Sequence, residues 1–107
     1  SADQKKMFLL ESALRDEIRG RGLMNDRIRE AVTAARTRGI EVMVLDEGGL
    51  DSATADEIAE LLDQVATAMD GVAEGRITLR APAGETWRIT LVATRPGVAT
   101  PDLWLKL

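Results

Sequence analysis

Cysteine and histidine are both missing from this 107-residue chain, and aromatics are scarce, with two Trp, one Phe and no Tyr. Without Cys there is no disulfide, no thiol nucleophile and no thiolate zinc site, a usage that fits an intracellular protein. Without His, the commonest general base, the commonest transition-metal ligand and every Ser-His-Asp arrangement are excluded. No apolar run approaches the roughly 18 residues of a membrane span, and no signal-peptide pattern is present. The sequence therefore predicts no membrane segment and a cytoplasmic location, either free or as the cytoplasmic part of a membrane sensor.

What is present is ordinary globular material. The chain is 45% hydrophobic and 30% charged, enough for one core and too short for two. Its net charge of -4 would repel phosphate backbones. Basic residues alternate with acids, as in Arg15-Asp16-Glu17-Ile18-Arg19 and Asp26-Arg27-Ile28-Arg29-Glu30, so no basic patch is formed and no nucleic-acid partner is expected. The chain opens Ser1-Ala2-Asp3 without Met, consistent with a processed end or with a piece of a longer chain.

Periodicity predicts three helices and then strands. From Asp3 to Arg19, Met7, Leu10, Leu14 and Ile18 form one apolar stripe that Phe8 and Leu9 widen, and Gly20 and Gly22 end it. Asn25 or Asp26 caps a second helix bearing Ile28, Ala31, Val32 and Ala35, with Gly39 as its stop. Ile40, Val42 and Val44 alternate with Glu41, Met43 and Leu45 as a half-buried strand. Ile58, Leu61, Leu62, Val65, Met69 and Val72 define the third helix, opened by the capping-box pattern Thr54-x-x-Glu57. Residues 76–80 and 87–91 alternate about a Pro82-Ala83-Gly84-Glu85 turn, predicting a hairpin with Ile77, Leu79, Trp87, Ile89 and Leu91 toward the core. Leu103 to Leu107 adds a short strand. The expectation is one α+β unit, a two-layer sandwich of helices on a mixed, largely antiparallel sheet.

Several residue groups invite a chemical reading. Val42 to Glu47 has the look of a Walker B strand, yet no G-x-x-x-x-G-K-[ST] accompanies it, so a solvated strand end is expected. Glu57, Glu60 and Asp63 fall on the wet side of the third helix, where a weak metal contact is the alternative. Arg76, Arg80 and Arg88 are expected on the sheet face opposite the core, either as solvated edge residues or as a docking surface for an acidic partner. Trp104 is expected outward, a candidate interface residue.

The order of elements from Asn25 to Val98 resembles the ATP-binding domain of sensor histidine kinases, the GHKL superfamily. Residues 28–44 resemble the helix and first strand of that domain, Glu60 to Met69 its N-box helix, and Glu74 to Ala81 the next strand. Ala93-Thr94-Arg95-Pro96-Gly97-Val98 stands where the family has its Asp-x-Gly-x-Gly turn. The resemblance implies a histidine-kinase ATPase-like core over residues 25–107 and places the helix of residues 1–24 where the family has a dimerisation helix. A homodimer, or a contact with another signalling domain, through Phe8, Leu9 and Leu14 is then expected.

The letters of the nucleotide site depart from the family. The magnesium-binding Asn position is Thr67, whose hydroxyl is a poorer hard-cation ligand. The adenine-recognising Asp position is Ala93, and the first turn Gly is Arg95, where backbone must approach the nucleotide; of that turn only Pro96-Gly97 remains. About ten residues follow where the family needs a lid, a second glycine-rich box and a helix. No catalytic residue, metal or cofactor is expected beyond weak Mg-ATP binding, and without His the chain cannot phosphorylate itself on His. Three readings stand: a degenerate ATPase-like module serving as an interaction part of a two-component signalling protein, a fragment of an active kinase whose lid lies outside this chain, and an unrelated α+β interaction domain.

Overall fold

The computed structural model describes residues 1–107. In chain order the elements are α1 (Ala2–Arg19), a 3-10 turn (Arg21–Leu23), α2 (Asp26–Thr37), β1 (Glu41–Asp46), α3 (Ala55–Asp70), β2 (Arg76–Ala81), β3 (Thr90–Thr94) and β4 (Leu103–Lys106). The protein is α+β, with three helices and one four-stranded mixed sheet in the order β1-β2-β3-β4. β1 and β2 run parallel, which requires a crossover, and α3 supplies it; the other two pairs are antiparallel.

Local chemistry starts and stops the helices where the spacing predicts. The Asn25 side chain accepts from the Ile28 amide at 2.8 Å. At α3 the Thr54 hydroxyl accepts from the Glu57 amide at 3.2 Å, while the Glu57 carboxylate accepts from the Thr54 amide at 3.0 Å, completing the capping box. Gly75 precedes β2 with φ of +101°, and a Cβ there would stand 2.1 Å from the Thr94 carbonyl oxygen, so no other residue fits between β2 and β3.

Register rows then build the core. Val42, Ile77, Ala93 and Leu103 align across one face of the sheet, as do Val44, Leu79, Leu91 and Leu105. Onto this face α2 brings Ile28, Ala31, Val32 and Ala35, and α3 brings Leu62, Val65, Ala66 and Met69, all buried. The opposite face carries the rows Met43, Thr78, Val92, Trp104 and Leu45, Arg80, Thr90, Lys106. The shortest dimension, 21 Å, is that of one helix layer on one sheet.

Two expectations fail in the stretch between β2 and β3. Trp87 was expected toward the core, but β3 begins only at Thr90 and Trp87 is 41% exposed. The cause is a change of partner: Arg88 and Ile89 donate their amides to the Leu107 carbonyl, and Leu107 donates back to Ile89, so the chain end claims this segment. Ile89 is still drawn into the core, whereas Trp87 swings out beside Lys106. Arg88 likewise leaves the sheet face predicted for it, reaching Glu57 at 2.6 Å at the start of α3. Arg76 and Arg80 stay on the outer face but are not gathered with it: Arg76 pairs with Glu41 and Arg80 with Glu47.

Helix α1 packs against β1 and α2 with its polar side. Its two buried residues are Ser12 and Asp16. Arg36 of α2 donates to both Asp16 carboxylate oxygens, at 2.6 and 3.0 Å, and to the Val42 carbonyl of β1 at 2.8 Å. The two side chains are 8% and 5% exposed. At the end of α1, a Cβ on Gly20 would lie 2.5 Å from Val44 Cγ1, and the Gly22 amide donates to Asp46 at 2.8 Å. The apolar stripe consequently points away from the body. Met7, Phe8, Leu10, Leu14 and Ile18 are all exposed, and Leu9 is half-buried.

Leu62 tests the core assignment, being buried between α3 and the sheet. Leu62→Ala is expected to lower stability by about 2 to 5 kcal/mol through lost transfer energy and a residual cavity. Urea unfolding measures it, and a near-neutral result would remove α3 from the core.

Candidate functional site

The four positions expected from the resemblance at a nucleotide site, Thr67, Ala93, Arg95 and Gly97, do not converge. Thr67 lies exposed on α3. Ala93 is buried within β3, opposite Ile77 on one side and Leu103 on the other, so its side chain belongs to the core. Gly97 sits in the loop between β3 and β4 with φ of +77°, a turn position that favours glycine. Only Arg95 faces a cleft. That cleft, about 490 Å³, is bounded by Ala68, Val72, Glu74, Asp102 and Leu103 between the end of α3 and the β3–β4 loop.

Arg95 is committed to its own loop. Its Nε and Nη2 donate to the two Asp102 carboxylate oxygens at 2.7 and 3.0 Å, and Glu74 lies 3.7 Å away. The Asp102 carboxylate raises the Arg95 pKa above its ordinary value. The Asp102 amide also donates to the Ala93 carbonyl at 2.8 Å, so the same residue closes the β3–β4 hairpin through backbone and side chain. With two carboxylates and one guanidinium, the charged groups of the cleft sum to one negative charge, which opposes a polyphosphate.

The acids of α3 and β1 have local partners. Asp46, at the end of the Walker B-like strand, accepts from the amides of Gly22 and Gly48 at 2.8 and 2.9 Å, and Glu47 pairs with Arg80. These contacts make the strand end a turn anchor. Glu60 and Asp63 are exposed, and no three acidic side chains gather closely enough to hold a metal ion. Glu57 is held down to about 2 from the ordinary 4.5, first by the Arg88 guanidinium and then by the amide and hydroxyl of Thr54.

The residues expected at an interface fall into two places. Phe8, Leu9 and Leu14 belong to α1, which packs on β1 at one edge of the sheet. Trp104 belongs to β4 at the other edge, three strand spacings or roughly 14 Å away. There Lys106 Nζ stands 4.4 Å from the Trp104 ring centre and 5.1 Å from that of Trp87, a cation held between the chain's two indoles. A further groove of about 580 Å³ runs between α1 and β1, with Phe8, Arg15 and Met43 on its rim.

Among the ion pairs that the sequence did not foretell, two shape the fold, Asp16 with Arg36 and Arg95 with Asp102. The first left one signal: Asp16 and Ser12 stand four residues apart on the side of α1 opposite the apolar stripe. The second left none, because only the hairpin brings its members together. No family model matches the chain, and no curated protein or solved structure matches it.

The Glu57 pair makes a pH prediction. A carboxyl depressed in the folded state contributes stability above its unfolded pKa, and this is lost as pH falls from about 4.5 through about 2. Arg88→Ala is expected to move the Glu57 midpoint, followed by NMR, up toward the ordinary value and to flatten the acid side of the stability curve in that window. An unmoved midpoint would assign the depression to the Thr54 cap alone.

Proposed function

We propose that the chain is a degenerate histidine-kinase-like ATPase module that binds little or no nucleotide and serves as a structural or interaction part of a signal-transduction protein. The observation that carries this reading is the commitment of Arg95 to Asp102 in the loop that would have to wrap a nucleotide. β4 pairs with β3 along Thr90 to Ala93, so the segment where the family has its lid is instead a sheet strand. Thr67 and Ala93 add no metal ligand and no base anchor. At Ala93 and Arg95, groups that a Mg-ATP site would require are thus replaced by groups that hold the fold together.

An interaction role is supported by what the molecule leaves uncovered. α1 is fastened by its polar side and turns its apolar side to solvent, the reverse of a helix that completes its own domain. Such a stripe marks a contact surface. Leu14 lies on it with Met7, Leu10 and Ile18, Phe8 stands to one side by the groove along β1, and Leu9 is half-buried.

Mg-ATP titration tests the loss of the site. Calorimetry is expected to give a dissociation constant of about a millimolar or weaker, which corresponds to about 4 kcal/mol. Stabilisation against heating by ATP should be correspondingly slight. Low-micromolar, magnesium-dependent binding would overturn the degenerate reading.

A further inference from the structure

We infer that the groove between α1 and the free edge of β1 is a binding site for a small carboxylate that carries an apolar body, an alkyl or aryl acid. The inference goes beyond the interaction role and does not use the exposed stripe of α1, since Phe8 lies about 120° round the helix from the centre of that stripe. Phe8, Ser12 and Arg15 follow one another along a single line of α1 and make one wall of the groove. Gly39 to Met43, where the chain enters β1, make the other. The volume of about 580 Å³ falls in the range of small-molecule sites, roughly 300 to 1,000 Å³.

Two donors in this groove have no acceptor of their own. Glu41 and Glu47 donate their amides to Gly75 and Ala81 on the β2 side, so the odd-numbered residues of β1 face β2 and Val42 turns both of its backbone groups to the free edge. Arg36 occupies the Val42 carbonyl at 2.8 Å, and the Val42 N–H beside it is left for an incoming acceptor. Helix α1 makes its close approach further along the strand, where a Cβ on Gly20 would meet Val44, so it does not cover Val42. Arg36 spends Nη1 and Nη2 on Asp16 and Val42, and its Nε makes no bond. Every side-chain nitrogen sealed from water in this protein has a partner, so Nε is open to solvent, and the groove is what Arg36 lines. A backbone N–H next to a guanidinium N–H suits an oxygen anion.

Charge selects a monoanion, although the chain as a whole carries -4. Within the groove Asp16 balances Arg36 and Glu41 balances Arg76, while Arg15, exposed on the rim, makes no ion pair. One positive charge is left over, opposite in sign to the cleft at Arg95. A single carboxylate neutralises it, whereas a polyphosphate would exceed it. Phe8 and Met43, 61% and 55% exposed, supply the apolar surface on which the body of the acid would lie.

Amide and arginine Nε–H NMR spectra of the full chain, titrated with octanoate to about 10 millimolar, test the inference. The Val42 amide and Arg36 Nε–H peaks are expected to move and saturate, and octanamide, which keeps the body and loses the charge, to bind about tenfold more weakly. Arg15→Gln should cost about tenfold for octanoate and little for octanamide, whereas Phe8→Ala should weaken both. Both positions are exposed, so the remaining peaks should stay native. Shifts that do not saturate, equal binding of octanamide, or indifference to Arg15→Gln would each overturn the inference. It would equally be overturned by shifts centred on Leu10 and Leu14, which would mean that the acid coats the stripe, or by the groove peaks moving with protein concentration alone, which would mean that a second copy fills the groove.

Discussion

The arrangement of the molecule depends on one buried ion pair. Arg36 joins three elements, since it sits on α2, grips Asp16 of α1 with both guanidinium nitrogens and caps the Val42 carbonyl of β1. The odd-numbered residues of β1 bond to β2, as the Glu41 and Glu47 amides show, so the Val42 carbonyl looks out from the free edge of the sheet. Open edges invite unwanted pairing, and here a charged side chain and a helix cover part of one. Such a pair adds little net stability, because desolvation offsets most of the attraction. Its effect is geometric: it decides which side of α1 faces inward.

That choice fixes what the surface can do. An α1 attached by its apolar side would have completed the core and shown charges to solvent. Attached by Asp16 and Ser12, it carries an apolar stripe outside a core already closed by α2 and α3. At the far end of the chain an analogous commitment acts on the other candidate site. The Asp102 side chain and amide draw the β3–β4 loop shut on Arg95 and Ala93, beside an exposed cleft of mixed charge. Both ends of the protein are thus organised by charged residues acting over distance.

This explains which parts could be foreseen from the sequence. The helix α3 was legible because its apolar spacing, its Thr54 and Glu57 box and its terminal glycines all agree. The inward rows of β2 were legible from alternation. Trp87 was not, because alternation continues through residues 87 to 91 while the strand partner changes from β2 to the chain end at Leu107, a non-local event. Asp16 read as one more solvated charge among Arg15, Glu17 and Arg19, since its neighbours are exposed and only the fold singles it out. The composition of the β3–β4 loop around Arg95 was plain from the sequence, whereas its closure by Asp102 needed the hairpin.

The Asp16 and Arg36 pair, and not apolar packing, holds α1 on the body. Native-state hydrogen exchange of an Arg36→Met variant tests it most directly, because Met keeps volume and apolar contact while removing the charge and donors. Breaking one side of a buried pair costs about 3 to 5 kcal/mol, and this account places that loss at the docking of α1. The α1 amides should lose most of their protection while those of β2 and β3 keep theirs. Unchanged protection in α1 would contradict the account and return the helix to ordinary apolar packing.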